Sequence, residues 1–213
     1  MEGLIKSGIE LGVAGAALSG QATCGDKYVC EMFAGGILLA LVDGIGHGPQ
    51  AAAAAEAACA ILKHYAADPV TALAERCHNS LRHTRGVVMS LAAFDLERNL
   101  LSWLGIGNVL GILRRSGLPI EATSELLLLR AGVVGSHLPC LRSSILGVVP
   151  GDTLILATDG VESGFADRIT SIEAPPRVAQ AILDGYNKRI DDALVLVARY
   201  QGHLTNANRE ISN

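Results

Sequence analysis

The alternation of apolar and polar positions divides the chain into short strand-like runs interrupted by helical segments. Apolar runs that are rich in branched residues and bounded by glycine are typical of strands, whereas an alanine-rich run opened by proline is typical of a helix. Residues 3–20 alternate weakly and are expected to form one or two edge strands. Further strands are predicted at residues 28–33, 37–42, 87–96, 100–105, 109–115, 125–130, 141–149, 152–157 and 193–200. Helices are predicted at residues 49–66, 69–83 and 176–188.

The order of these elements indicates the fold class. Hairpin-like connections dominate, the three runs between residues 87 and 115 resemble a β-meander, and the regular βαβ alternation of a doubly wound sheet is missing. The pattern therefore predicts an α+β fold of mainly antiparallel sheets with helices packed outside. There is neither an internal repeat nor a linker, so a single domain over residues 1–200 is expected, followed by a polar C-terminal tail at 201–213.

Composition narrows the functional classes. Half of the 213 residues are hydrophobic but only 4% are aromatic, so the core is expected to consist of Ala, Val, Leu, Ile and Gly. The formal net charge of −4 and the lack of a basic run argue against nucleic-acid binding. No apolar run reaches the roughly 18 residues of a membrane span. Five scattered cysteines without a C-x-x-C pair fit reduced thiols, so a cytoplasmic protein is expected.

The segment Leu39–Pro49 contains the first candidate for chemistry. A short apolar run ends in Asp43, and three glycines and His47 follow within five residues before the first predicted helix begins. A carboxylate at the end of a buried strand is unfavourable unless it is paired or binds a cation. The strand that ends here is joined to the preceding one by a short glycine-rich turn, which predicts a hairpin that places Asp26 near Asp43.

Four aspartates occupy comparable positions, each at an end of a predicted core strand: Asp26, Asp43, Asp159 and Asp191. Asp-Gly at a strand end is also a common turn signal, so each residue taken alone has a structural explanation. If the four carboxylates converge, hard divalent cations such as Mg²⁺ or Mn²⁺ suit their oxygen ligands and neutralise them. Two such ions can activate a water for in-line attack on a phosphate ester. Gly44, directly after Asp43, would let a backbone carbonyl approach a metal closely.

Four short motifs occur in the order and spacing of the metal-dependent PP2C-type protein serine/threonine phosphatases: Cys24-Gly25-Asp26, Asp43-Gly44-Ile45-Gly46-His47-Gly48, Thr158-Asp159-Gly160 and Asp191-Asp192. The compact DGxGHG form resembles the bacterial SpoIIE branch of this family. Within that branch, residues 75–79, Arg85-Gly86 and residues 106–109 are similar to the short stand-alone RsbX-type phosphatases. The resemblance covers about residues 20–200.

This resemblance implies a PP2C-like α-β-β-α sandwich with a dinuclear Mn²⁺ or Mg²⁺ centre between its sheets. Carried over by motif, Asp43 bridges both metals and Gly44 gives its carbonyl to one of them. Asp26, Asp159 and Asp191 complete the set of metal-binding residues.

Departures from the family pattern bear on the same site. Asp192 stands where many larger relatives have Asn, and an offset of one residue would exchange its role with that of Asp191, so both are kept as candidate ligands. Asn108 stands where larger relatives have an aspartate used for a third metal, so a stable third ion is not expected. No N-terminal arginine is in a clear position to hold the phosphate, which is then expected to be held mainly by the metals.

His47 is a candidate catalytic residue, because an imidazole can protonate the leaving serine or threonine oxygen. The alternative is a loop histidine whose ring is hydrogen-bonded to the backbone. The position of His47 relative to the motif of the larger family favours neither explanation, and both stay open on the sequence.

The resemblance implies a phosphatase that removes phosphate from phosphoserine or phosphothreonine in proteins. Its expected partners are phosphorylated STAS-domain proteins of a bacterial stress-signalling complex, the stressosome, and the chain itself is expected to be a monomer. Two alternatives are a catalytically silent protein that binds the same partners and another two-metal phosphoester hydrolase, such as a nuclease. The complete aspartate set argues against the first, and the lack of a basic surface argues against the second.

Overall fold

The computed structural model describes residues 4–6, 8–21, 23–117, 124–167 and 173–202. Twelve strands run through these residues: β1 (Leu4–Lys6), β2 (Ile9–Ala16), β3 (Asp26–Phe33), β4 (Gly36–Gly44), β5 (Val87–Asp95), β6 (Leu100–Ile106), β7 (Leu110–Arg114), β8 (Ser124–Leu126), β9 (Leu129–Arg130), β10 (Ser144–Gly147), β11 (Thr153–Ala157) and β12 (Ala193–Tyr200). The helices are α1 (Pro49–His64), α2 (Val70–Ser80) and α3 (Pro175–Tyr186), with a 3₁₀ turn at Ser163–Asp167.

The twelve strands form two sheets. Sheet A has the strand order β1-β2-β12-β11-β7-β8, and sheet B has the order β10-β6-β5-β4-β3. Neighbouring strands along both orders are antiparallel, and the short strand β9 adds one parallel pairing to β6. The mainly antiparallel α+β fold predicted from the sequence is confirmed.

The two sheets pack face to face, because alternate side chains of their strands enter a shared core. In β4, Leu39 and Leu41 point into the core between the sheets, whereas Leu38 and Val42 point to the other face of sheet B. That outer face is covered by α1 and α2, and the outer face of sheet A is covered by α3. The layers therefore follow the α-β-β-α order that the family resemblance implies.

Small residues let α1 lie close to sheet B. Its buried positions are mostly alanines: Ala51, Ala52, Ala54, Ala55 and Ala58. The closest approach is at the end of β4, where a Cβ on Gly44 would lie 2.1 Å from the carbonyl oxygen of Ala51. The first turn of α1 and the strand end that carries Asp43 therefore have one fixed relative position.

Two strand assignments made from the sequence are wrong in their pairing. The runs between residues 87 and 115 do not form a meander, because β5 and β6 pair in sheet B while β7 crosses to sheet A and pairs with β11 and β8. The crossing passes through Gly107, whose φ of 92° suits glycine. The strand predicted at 125–130 is likewise divided, since β8 belongs to sheet A and β9 to sheet B. Local alternation identifies a strand but does not identify its partner.

The next comparison between prediction and structure concerns the two ends of the chain. Edge strands were expected within residues 3–20, and β1 is an edge strand, but β2 lies inside sheet A between β1 and β12. Residues 203–213 of the predicted tail lie outside the described residues.

Among the helices that the structure describes, none has both the length and the apolar character needed to cross a membrane.

Replacing a leucine between the sheets tests this packing. Leu39 is fully buried in the shared core, so we expect Leu39→Ala to lower the free energy of unfolding by about 2–5 kcal/mol through the cavity it leaves. Leu126 on β8 is 70% exposed, and Leu126→Ala is the matched control, with an expected change below about 0.5 kcal/mol. Urea unfolding measures both; equal losses would contradict the placement of the core.

Candidate metal centre

The hairpin of β3 and β4 brings the first two candidate aspartates together. Asp26 and Asp43 are direct cross-strand partners in its register, so the proximity predicted from the glycine-rich turn is confirmed. The Asp26 carboxylate is buried and accepts a hydrogen bond of 2.7 Å from the Thr158 hydroxyl. Thr158 follows β11 in sheet A, and the amide of Leu194 in β12 donates to the same hydroxyl at 2.8 Å. One hydroxyl thus joins the two sheets at this edge.

Sheet A contributes the other two aspartates from adjacent strands. Asp159 follows β11 and Asp191 precedes β12, and these strands are antiparallel neighbours, so the end of one lies beside the start of the other. The two chain segments approach closely at Gly160, where a Cβ would lie 2.0 Å from the carbonyl oxygen of Asp192. A side chain at position 160 would therefore force the two strand ends apart.

Three of the candidate carboxylates face one open cleft of about 370 Å³. Asp43 reaches it from sheet B, and Asp159 and Asp191 reach it from sheet A. The rest of its lining comes from the loops around it: Ile45, Gly46, Val88, Gly107, Asn108, Ala131 and Gly132. These lining residues include neither His nor Cys, so their polar side chains are three carboxylates and the amide of Asn108.

Asp192 has different surroundings from Asp191. It is 4% exposed, and its two carboxylate oxygens accept hydrogen bonds from the amides of Leu18 at 2.7 Å and Gly25 at 2.6 Å. Its carboxylate thereby holds the connection between β2 and β3, directly before Asp26. Asp191, rather than Asp192, lines the cleft.

Gly44 and His47 occupy the loop side of the site. Gly44 is buried beneath the first turn of α1, and this packing requires a glycine there whether or not its carbonyl binds a metal. His47 is exposed on the loop between β4 and α1 and is not among the residues that line the cleft.

The carboxylates at this junction repel one another when they are ionised. Burial, together with the neighbouring carboxylates of Asp26 and Asp159, raises the pKa of Asp43 from 3.8 to about 8. Burial also raises the pKa of Asp26, to about 7, against the opposing effect of its hydrogen bond from Thr158. Without a counter-charge, the protein holds these carboxyl groups ionised only at a free-energy cost.

The donor set suits a hard divalent cation, although the side chains do not by themselves enclose one. Carboxylate oxygens are the ligands that Mg²⁺ and Mn²⁺ prefer. Three aspartates line the same cleft, but within the described residues no three Asp, Glu, His or Cys side chains are placed to hold a metal ion as they stand. Asn108 donates to Asp159 at 2.7 Å and the amide of Asp192 donates to Asp191 at 2.8 Å. Within the described residues, no hydrogen-bond donor contacts the Asp43 carboxylate.

Sequence reasoning missed two polar groups of the site. In the sequence Thr158 is only one residue of a motif, and its bond to Asp26 depends on the two sheets meeting. The Lys188 ammonium donates to the backbone carbonyl of Asp159 at 2.6 Å, and its own amide donates to the carbonyl of Gly160 at 2.9 Å. No motif contains Lys188, and only its position shortly before Asp191 was available as a signal.

A sandwich of two antiparallel sheets between helices, with aspartates at the junction of the sheets, is the fold of PP2C-type phosphatase domains. The chain superposes on a structure of the PP2C phosphatase domain and a fragment of the regulatory domain of SpoIIE from Bacillus subtilis, with a TM-score of 0.75 at 19% identity over 92% of this chain and 64% of that one. The sequence profile described as stage II sporulation protein E (SpoIIE) matches residues 34–201. The chain therefore belongs to the SpoIIE family.

Two further comparisons concern smaller proteins. Phosphoserine phosphatase RsbX of Bacillus subtilis (strain 168) is 28% identical over 94 residues, which are 44% of this chain and 47% of RsbX, so the match spans about half of that relative. A crystal structure of RsbX in complex with magnesium has a TM-score of 0.80 at 20% identity and covers 94% of this chain and 99% of that one. A structure from a study of the bacterial stressosome has a TM-score of 0.81 at 29% identity, covering 90% and 99%.

The raised pKa values predict how stability depends on pH when no metal is present. Because the folded state binds these protons more tightly than the unfolded state, the free energy of unfolding should fall as the pH rises from about 4 to about 8. We expect Asp43→Asn to stabilise the protein in chelator by more than about 1 kcal/mol at pH 8, and by less at pH 5.

Urea unfolding at the two pH values measures this difference. Asp184→Asn is the control, since Asp184 is an exposed aspartate on α3 and its replacement should leave the pH dependence unchanged. A gain for Asp43→Asn that is equal at pH 5 and pH 8 would show that its origin is not the charge of this site.

Proposed function

We propose that the chain is a metal-dependent phosphoserine/phosphothreonine protein phosphatase that acts on STAS-domain proteins of a bacterial stressosome. The observation that carries the proposal is the convergence of Asp43, Asp159 and Asp191 on one solvent-open cleft, with Asp26 paired directly to Asp43. Membership of the SpoIIE family and the similarity to RsbX support the reaction type. An open cleft also suits a phosphorylated side chain presented on the surface of another protein.

Two divalent cations, Mn²⁺ or Mg²⁺, are the proposed cofactors. The residues proposed to hold them are Asp26, Asp43, Asp159 and Asp191, together with the carbonyl of Gly44. When bound, the ions would neutralise the carboxylates and activate water for in-line attack on phosphorus. The magnesium complex of RsbX supports this choice of metal.

Residues that hydrogen-bond to the carboxylates, or to the segments that carry them, are proposed to set their positions. The Thr158 hydroxyl holds one oxygen of Asp26, and the Asn108 amide holds one oxygen of Asp159. Asp192 fixes the segment in front of Asp26 through the amides of Leu18 and Gly25. Side chains held in this way lose little further freedom when the substrate binds, which favours the transition state.

The proposed partner is a phosphorylated STAS-domain protein of the stressosome. Its support is the RsbX-type motif set, the similarity to RsbX over about half of that protein, and the similarity to a structure from a stressosome study. The substrate would be a STAS domain carrying phosphoserine or phosphothreonine, and the phosphatase itself is proposed to act as a monomer.

Release of phosphate from a phosphorylated STAS domain, measured with Mn²⁺, with Mg²⁺ and with EDTA, tests the proposal. We expect activity with either ion, loss of activity in EDTA, and a loss of at least about a hundredfold in Asp43→Asn because it removes a carboxylate that would hold the ions. Asp184→Asn is again the matched control and should keep full activity.

The outcomes separate the alternatives. Activity that survives EDTA or Asp43→Asn would contradict the two-metal mechanism. Binding to the STAS protein without turnover under any metal condition would support a catalytically silent partner instead. Hydrolysis of other phosphoesters in preference to phosphoprotein would support a different two-metal hydrolase.

His47 is proposed as the proton donor to the leaving oxygen, and a comparison of leaving groups tests this. Serine leaves as a poor alkoxide and needs a proton, whereas p-nitrophenolate leaves without one. We expect His47→Ala to lower kcat for a phosphoserine peptide by about a hundredfold or more and to change kcat for p-nitrophenyl phosphate much less. Equal losses with both substrates would mean that His47 only shapes the loop between β4 and α1.

A further inference from the structure

The short connection between α2 and β5, residues 81–86, is hydrogen-bonded to the loop that follows Asp43. Thr84 ties its start, since both its amide and its hydroxyl donate to the carbonyl of Leu81, at 2.9 and 2.7 Å. The amide of Gly86 then donates to the Thr84 hydroxyl at 3.0 Å. The carbonyl of Gly86 accepts the amide of Ile45, a cleft residue, at 3.1 Å. The backbone of Arg85 is therefore fixed on both sides.

The guanidinium of Arg85 lies over the loop that follows Asp43. Gly46 has a φ of 85° and lines the cleft, and a Cβ at this position would lie 2.8 Å from Nη1 of Arg85. Arg85 is exposed, and no carboxylate or carbonyl of the described residues pairs with its guanidinium. By contrast, Arg76 and Arg115 form ion pairs at 2.8 and 2.7 Å.

We propose that Arg85 binds a non-bridging oxygen of the phosphoryl group of the substrate, an inference that rests on the proposed phosphatase function. A phosphate monoester carries negative charge into a cleft already lined by three carboxylates, so a nearby cation favours its binding. A guanidinium presents parallel N–H donors that match phosphate oxygens, and its weaker hydration makes such pairs stronger than those of an ammonium group.

Lys188 is a cation near the cleft that is already engaged. The Lys188 ammonium donates to the carbonyl of Asp159, which holds it on that side of the site. Arg85 has no such partner among the described residues, and its anchored backbone limits the motion lost on binding.

Kinetics of Arg85→Ala and Arg85→Lys test the assignment, with Arg82→Ala as the matched control because Arg82 is an exposed arginine of the same connection. For Arg85→Ala we expect KM for p-nitrophenyl phosphate and for a phosphoserine peptide to rise by about ten- to a hundredfold, the loss of one charge-assisted contact. Inhibition by inorganic phosphate should weaken by the same factor. Arg85→Lys should show a smaller loss, and Arg82→Ala should match the wild type.

Two further measurements separate this inference from its alternatives. The midpoint of thermal unfolding of Arg85→Ala should stay within about 2 °C of the wild type, because the side chain is exposed. Binding of inorganic phosphate in the presence of Mg²⁺, measured by calorimetry, should weaken in Arg85→Ala even if the wild type turns over neither substrate. The phosphatase proposal and the Arg85 assignment can therefore fail independently.

Three results would overturn the assignment. The first is a KM that rises for the peptide but not for p-nitrophenyl phosphate, which would place Arg85 against the protein part of the substrate. The second is unchanged phosphate binding in Arg85→Ala. The third is an equal effect of Arg82→Ala, which would indicate general surface charge instead of a specific contact.

Discussion

The repulsion between carboxylates gathered where two sheets meet is the constraint on which the rest of the structure depends. Asp26 and Asp43 are brought together by the register of β3 and β4. Asp159 and Asp191 arrive from β11 and β12 in the opposite sheet. Burial and mutual repulsion raise the pKa of the pair in sheet B. The folded chain must hold these groups in place against that repulsion, and it does so with the core between the sheets and the Thr158 hydroxyl that joins them.

Close backbone contacts explain why the site motifs contain glycine. At Gly44 the strand end meets the first turn of α1, and at Gly160 the end of β11 meets the start of β12. In both places a Cβ would lie about 2 Å from a backbone carbonyl oxygen, a distance that no side-chain rearrangement can relieve. An Asp-Gly pair at a strand end is therefore more than a turn signal here. The aspartate faces the junction, and the glycine lets the next segment approach closely enough to build it.

Much of the fold follows from local pattern, and the errors arise where partners are distant in sequence. The glycine-rich turn predicts the hairpin that pairs Asp26 with Asp43, and the last strand has the bounds expected for it, Ala193–Tyr200. Alternation also identifies β7 as a strand, but it contains no information on the crossing at Gly107 that carries β7 to the other sheet. The sequence indicates no role for Lys188 or Arg85 for the same reason, since each acquires its place only when the loops around the cleft come together.

The contrast between two aspartates shows how a structural carboxylate differs from one available to a ligand. Asp192 is buried and fully engaged, since each of its oxygens accepts a backbone amide. Asp43 faces the cleft, has a raised pKa and receives no hydrogen-bond donor from the described residues. Both sit at strand ends, so their positions along the chain do not distinguish them. In the folded chain, the donors that satisfy Asp192 anchor the segment before Asp26, whereas the lack of donors at Asp43 leaves its oxygens accessible from the cleft.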